Sequence, residues 1–288
     1  MGTLNISRSC KSFESFIHIE GRLKRMQVKI MKLEKEEARL SYQEAGGIVI
    51  ITIRRPQRRN ALTQEMWREL KSLAKKALNN KKNRVMIIRG SGKEFTSGSD
   101  IKEFYEMTIE EAEMAFVTME DTISYIEHIP LPTIGVINGP AMGAGLELAL
   151  ACDMRIGSEH ARMGIPVGNL GITLNNHFTH RLVSILGPSV TKELVFTGKI
   201  LSAEEAYDKG LLNRLVPSEH LNRTAIELAK LIASQSPASI RAIKQFVAES
   251  VNSVSELWKN AGKFVDPTDF PEGVAAFVEK RKPKFKNR

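Results

Sequence analysis

The sequence predicts an α/β fold built on a parallel sheet with a helical C-terminal region, and three observations carry that prediction. Short β-branched runs, GIVIITI at 47–53 and RVMIIRG at 84–90, alternate with helical periodicity over about 63–77 and 109–128. Strands separated by helices of that length pair in parallel through crossover connections. From about Asn175 onward helical patterns dominate, so the last third reads as an all-α appendage.

Each element has its own warrant. The run at 47–53 is closed by RRPQRRN, a turn-forming stretch, and the run at 84–90 by SGKEFTSGSD, a loop rich in Gly and Ser. The helix over 109–128 leads through Pro130 and Pro132 into PTIGVING, a third strand, and CDMRIGS and ARMGI read as shorter ones. FTHRLVSILG, SVTKELVFTG, SAEEAYDKG, SEHLNRTAIELAKLIAS and the segment after Pro237 read as helices. Ahead of all this, RLKRMQVKIMKLEKEEARL alternates charges around Leu23, Met26, Ile30 and Leu33, the pattern of an exposed helical extension over 1–40. The chain shows no low-complexity segment and no internal repeat.

Composition excludes several classes. With 288 residues, 42% of them hydrophobic and 26% charged, the chain can bury the core of a globular protein. No apolar run approaches the roughly 20 residues that span a bilayer, which argues against membrane insertion. Its 2 cysteines, Cys10 and Cys152, lie far apart and form no metal-ligand spacing, as suits a reducing compartment. The net charge of +9 belongs to the ends: residues 1–40 carry nine Lys/Arg against five Glu, and 280–288 carry six Lys/Arg and no acid. Segment 41–279 is left near neutral, so the basicity argues for solvated termini or phosphate contacts rather than a nucleic-acid partner. The start MGTLNISRSCKSF lacks the apolar core of a secretory signal. That points to the cytoplasm, with an organellar matrix as the alternative if the basic start is a presequence.

Two loops carry the chemical signal. FTSGSD and PAMGAG each follow an apolar strand and precede a helix. Glycine allows close backbone approach, and a helix start leaves amides without intrahelical acceptors, so two such loops together could hold one oxyanion. Taken singly, each reads equally well as a tight turn. Competing motifs fail in detail: after Gly143 and Gly145 the third glycine of a dinucleotide fingerprint is Leu148, and Glu94 follows Gly92-Lys93 where a P-loop needs Ser or Thr. Neither Ser97 nor Ser99 sits in a nucleophile elbow. His177 and His180 lie three apart, without an identifiable third metal ligand. Glu147 stands among Leu146, Leu148, Ala149 and Leu150, where burial of an unpaired charge costs more than the helix dipole returns. It calls for a partner, a proton or a function.

FTSGSDIKEF and INGPAMGAGLELALACDMRIGS resemble the two signature segments of the enoyl-CoA hydratase/isomerase (crotonase) family. GIVIITIRRPQRRNAL, FTGKILSAEEAYDKGLLNRLVP and PEGVAAFVEKRKPKF are similar to further family segments in the same order, from about 42 to 285. The resemblance implies a crotonase-like spiral of ββα units over 41–215 and a helical oligomerisation region over 216–288 that builds a homotrimer or homohexamer. It implies an acyl-CoA thioester as substrate, with coenzyme A as part of that substrate and no metal or other cofactor. Carried over by position, the oxyanion-hole amides are those of Ser99 and Ala144, flanked by Gly98 and Gly143. Coenzyme A is expected near Arg58, Ile101 and Lys102, with Phe277, Lys280 and Lys282 closing over it, either in the same subunit or from a neighbouring one. Family hydratases use two glutamates; the first matches Glu147, whereas Val167 stands where the second is expected.

The expected activity is that of an enoyl-CoA hydratase, a lyase, with Glu147 as its sole catalytic carboxylate and Asn175, Asn176 or His177 helping to orient water. An isomerase, or other enolate chemistry such as decarboxylation, is the alternative within the family. A catalytically weak acyl-CoA-binding scaffold is the alternative outside enzymes, and the retained Glu147 argues against it.

Overall fold

The computed structural model describes residues 39–252, 267 and 269–283. The helical extension expected over 1–40 lies outside the described residues apart from Arg39 and Leu40, which open the first strand instead. Strand β1 (Arg39–Ala45) turns into β2 (Ile48–Arg54) through Gly46 and Gly47, at φ 58° and 79°. A two-residue hairpin loop of this kind needs left-handed backbone at both positions, which glycine supplies without strain.

The main sheet continues with β3 (Val85–Gly90), β4 (Thr133–Ile137), β6 (Met154–Ser158) and β9 (Arg214–Val216), in the order β1-β2-β3-β4-β6-β9. Every neighbour from β2 onward pairs in parallel. A second layer holds the short strands β5 (Pro140–Met142), β7 (Arg162–Gly164) and β8 (Ile200–Leu201). Single bridges from Leu62 to Ser99 and from Thr96 to Ala141 extend it toward the start of the chain. The chain thus repeats one turn, a long strand in the main sheet, a short one in the second layer, then a helix. The spiral of ββα units is that repetition.

The helices are α1 (Gln64–Asn79), α2 (Ile101–Phe104), α3 (Ile109–His128), α4 (Ala144–Ala151), α5 (Asn176–Thr197), α6 (Ala203–Asp208), α7 (Ser218–Ala233), α8 (Pro237–Asn252) and α9 (Asp269–Val278). Thr63 caps α1 through the amide of Met66, and Thr108 and Glu111 close a reciprocal capping box on α3. The two stretches FTHRLVSILG and SVTKELVFTG form the two halves of α5, joined at Gly187 (φ 71°, ψ 166°) ahead of Pro188. Proline lacks the amide that would continue the helical ladder, and only glycine enters that backbone conformation easily.

The C-terminal third is not an appendage. Helix α7 lays Leu221, Ala225, Leu228 and Ala229 over Ile48, Val85, Ile87, Ile134, Val136 and Ile156, one face of the main sheet. Alternate residues such as Val49, Ile51, Met86 and Ile88 are equally buried on the other face. Burial on both faces is why these strands read as unbroken apolar runs. Strand β9 comes from the same third, and three residues are too short to show a period of two.

Candidate active site

Two loops meet behind a cavity of about 510 Å³. The first runs from Thr96 to Asp100 and is tied at both ends. Asn60, wholly buried and at φ 54°, donates from Nδ2 to the carbonyls of Ser91 and Glu94 (2.8 Å each) and accepts the amide of Arg55 at Oδ1. The hydroxyl of Thr96 donates to the Asn60 carbonyl (2.7 Å) and accepts the amide of Gly98 (3.1 Å). Asp100 caps α2 through the amide of Lys102 and pairs with Arg55 at 2.6 Å.

The second loop is the entry to α4, where Gly143 at φ 52° and ψ −120° precedes the first helical residue, Ala144. The loops touch through main chain. A Cβ on Gly98 would lie 2.7 Å from the Met142 carbonyl and 3.1 Å from the Ala144 amide, and one on Gly145 would lie 2.4 Å from the Thr96 carbonyl. Glycine is required at both positions by that approach.

This arrangement leaves two amides over. At the Leu62 bridge, Gly98 supplies the carbonyl and Asp100 the amide, so the Ser99 amide stays outside the ladder. Ala144 is the first residue of α4 and its amide has no intrahelical acceptor. Ser99 and Ala144 both line the cavity, and the Ser99 hydroxyl is held by the indole Nε1–H of buried Trp67 at 3.1 Å.

Glu147 lines the same cavity with only 2% of its surface exposed. Its Oε1 accepts a hydrogen bond from Arg181 Nη1 at 2.9 Å. Arg181, buried in α5, also grips Glu120 of α3 with both terminal nitrogens (2.9 and 3.3 Å) and reaches Glu127 at 2.7 Å. Asn175 donates to Glu120 Oε2 at 3.0 Å. Arg181 Nη1 donates to both Glu120 and Glu147, so the two carboxyls meet on one guanidinium nitrogen.

Two carboxyls this close hold one proton between them. Burial, reinforced by the negative charge of Glu120, raises Glu147 well above the ordinary carboxylate range against the pull of Arg181. Burial acts on Glu120 in the same direction, but the adjoining Glu147 carboxyl and the Arg181 guanidinium outweigh it and hold Glu120 down at about 2. Of the two carboxyls, Glu147 is therefore the one whose surroundings favour the proton. The partner required by its apolar surroundings is a buried ion pair one layer behind it.

The other sequence-derived candidates divide. Arg58, Ile101, Lys102, Gly143, Asn175 and Phe277 line the cavity, and Gly98 braces it from behind. Phe277 comes from α9 of the same chain, docked by Phe270 against Phe104 and Phe116. Lys280 and Lys282 are exposed beyond α9 and do not line it. Asn175 is engaged in capping α5 through the Phe178 amide (2.7 Å) and in holding Glu120, while Asn176 and His177 lie off the cavity wall. Burial lowers the His177 imidazole below its usual range, so it is neutral at pH 7. Val167 forms part of an apolar wall with Phe116, Met119, Leu170 and Ile172. Among the described residues no group of three or more His, Cys, Asp or Glu could hold a metal ion; the cation in the carboxylate cluster is Arg181.

Glu120, Arg181 and Asn60 were not anticipated, although the first two leave a trace in the sequence. Glu120 falls on the apolar stripe of α3 with Ala112, Phe116, Met119, Ile123 and Ile126, and Arg181 lies between Phe178 and Leu182. Opposite charges on the buried stripes of two helices predict that the helices meet there. Asn60 carries no such signal.

The sequence model of the enoyl-CoA hydratase/isomerase family matches residues 43–288. A probable mitochondrial enoyl-CoA hydratase 2 of Arabidopsis thaliana is 36% identical over 248 residues, covering 83% of this chain and 82% of that protein. The short-chain-enoyl-CoA hydratase of Clostridium acetobutylicum is 33% identical over 253 residues, 85% of this chain and 97% of its own length. The crystal structure of a putative enoyl-CoA hydratase/isomerase family protein from Hyphomonas neptunium superimposes with a TM-score of 0.72 at 31% identity, covering 86% of this chain and 98% of that one. The family match takes in both loops, the helix that carries Glu147 and the helix that carries its counter-ion, and the chain belongs to the enoyl-CoA hydratase/isomerase family.

Proposed function

We propose that this protein is an enoyl-CoA hydratase in which Glu147 is the sole catalytic carboxyl. The observation that carries the reading is the buried Glu147, its carboxyl pushed up by burial, in one cavity with the amides of Ser99 and Ala144. The thioester oxygen accepts from both amides, and the apolar wall around Val167 takes the acyl chain. Arg58 and Lys102 at the same cavity suit the phosphates of coenzyme A, which enters as part of the substrate; no other cofactor is invoked.

The addition balances on one carboxyl. Water oxygen bonds to Cβ, the π pair of the double bond moves toward the thioester oxygen, and the two amides stabilise the enolate, a contribution of about 3–4 kcal/mol per donor where it has been measured. Cα takes the hydroxyl proton of Glu147 while its other oxygen takes a proton from water. Glu147 ends as it began, and H and OH have been added across the bond. An isomerase must first remove a proton from carbon, for which a carboxyl that is neutral at rest is ill suited. Decarboxylation is the second reading, because an apolar wall destabilises a substrate carboxylate and one acid suffices to protonate the resulting enolate.

The test is turnover of purified protein on enoyl, 3-enoyl, 3-hydroxyacyl and malonyl-type CoA thioesters, beside Glu147→Gln. Hydration reduced at least about a hundredfold by the substitution is expected. Undiminished turnover would refute the role of Glu147, loss of CO₂ would select the second reading, and tight CoA binding with no turnover would select a scaffold. Leu231, Ile243, Phe246 and Val247 are exposed on α7 and α8, which supports a homotrimer or homohexamer, to be checked by light scattering. No helix among the described residues is long and apolar enough to cross a membrane. Residence in the cytoplasm or in an organellar matrix is decided by fractionation.

A further inference from the structure

We propose that Glu120, which does not reach the cavity, is the positioning residue of this site: it draws Arg181 onto itself with two nitrogens against the one left to Glu147, so that Glu147 faces substrate as an acid. This rests on the reading of Glu147 given above and supplies what that reading lacks.

A guanidinium 2.9 Å from a buried carboxylate would by itself lock Glu147 in an ion pair, unable to donate. Arg181 has more than one carboxylate to serve, and it gives Glu120 two nitrogens but Glu147 one. Asn175 and the Ser124 hydroxyl add two further donors to Glu120. The negative charge is thereby concentrated on Glu120, and the remaining proton is left to Glu147. Where the family resemblance leads one to expect a second glutamate across the cavity, this chain has Val167; its second carboxyl stands behind the first.

The groups facing Glu147 can be enumerated. Helix α3 presents Glu120 and Glu127, and α5 presents Arg181, with His177 feeling the charges of Glu120, Arg181 and Glu127. Strand β5 offers no ionisable side chain, and Arg155 of β6 binds the carbonyls of Cys152 and Leu211 beyond the far end of α4. Glu127 is shared with solvent, being about a third exposed, which leaves Glu120 as the group that decides.

The experiment combines infrared titration with the pH profile of turnover in wild type, Glu120→Gln, Glu120→Asp and Glu147→Gln. The wild type is expected to show a buried carboxylic-acid C=O band at pH 7 that Glu147→Gln abolishes. In Glu120→Gln the Glu147 band disappears at pH 7, the alkaline limb of kcat moves down by at least about one pH unit, and KM is little changed. Glu120→Asp keeps the charge and restores part of the limb. A packing role alone would lower activity at every pH and leave the limb and the band in place. That result, or a band unaffected by Glu120→Gln, overturns the proposal. Because the band is read without substrate, it reports on Glu120 even if Glu147→Gln proves fully active, an outcome that would refute only the catalytic reading.

Discussion

Removing Arg181 tests the buried network most directly. The change to Met keeps much of the length and volume but takes away every hydrogen bond the guanidinium gives to Glu120, Glu127, Glu147 and Ser124. Taking one partner from a buried ion pair costs roughly 3–5 kcal/mol, because the remaining charge has neither water nor a counter-ion. For a chain of this size that corresponds to a melting temperature lower by roughly 6 to 20 °C. The loss should depend on pH with a definite sign. In the wild type Glu120 is depressed to about 2, so its contribution is full above the unfolded carboxylate range and is lost as pH falls toward 2. In Arg181→Met the same group, buried without its cation, is raised instead, and the variant gains relative stability as pH falls. Melting curves at pH 7.5 and at pH 4.5 should therefore converge in the acid. A difference under about 1 kcal/mol at pH 7.5, or one that does not shrink on acidification, would refute the assignment of Arg181 as the buried counter-ion.

Three further outcomes are expected. Gly98→Ala puts a Cβ 2.7 Å from the Met142 carbonyl at a φ of 93°, and should lower kcat in steady-state assays by about 10²–10³ through displacement of the neighbouring amide. Val167→Glu places a further carboxyl in the cavity wall opposite Glu147, and initial-rate assays should show hydration rising at least about tenfold, at a stability cost of roughly 1–3 kcal/mol on denaturation. Cys152 is buried with its thiol pushed up to about 12, so a thiol reagent at pH 8 should leave it unlabelled until the protein is unfolded.

Much of the fold was legible because its strands are buried on both faces. Runs such as IVIITI and VMII can be little else in a chain with helices between them. The short strands β5, β8 and β9 were missed because two or three residues carry no period, and their pairing is settled by the spiral rather than by their own side chains. In the same way, the glycine loops were legible as places where main chain approaches main chain, since glycine marks such approach whatever the ligand. The partner of Glu147 was hidden for a different reason: α3 carries many acids on its solvent side, so a single buried one does not stand out by composition. Arg181 lies 34 positions from Glu147, and only the packing of α5 on α4 brings them together.

The contact between the two loops is made of carbonyls, amides and the space where a Cβ is missing. Such a junction has few heritable variants: nearly any substitution at Gly98 or Gly145 is lost at once, while the side chains of the cavity wall can drift without disturbing it. The junction and the cavity wall are thus separable: the wall can be altered while the two loops stay in register. Val167 belongs to that wall, and a change there leaves the main-chain junction of the two loops untouched.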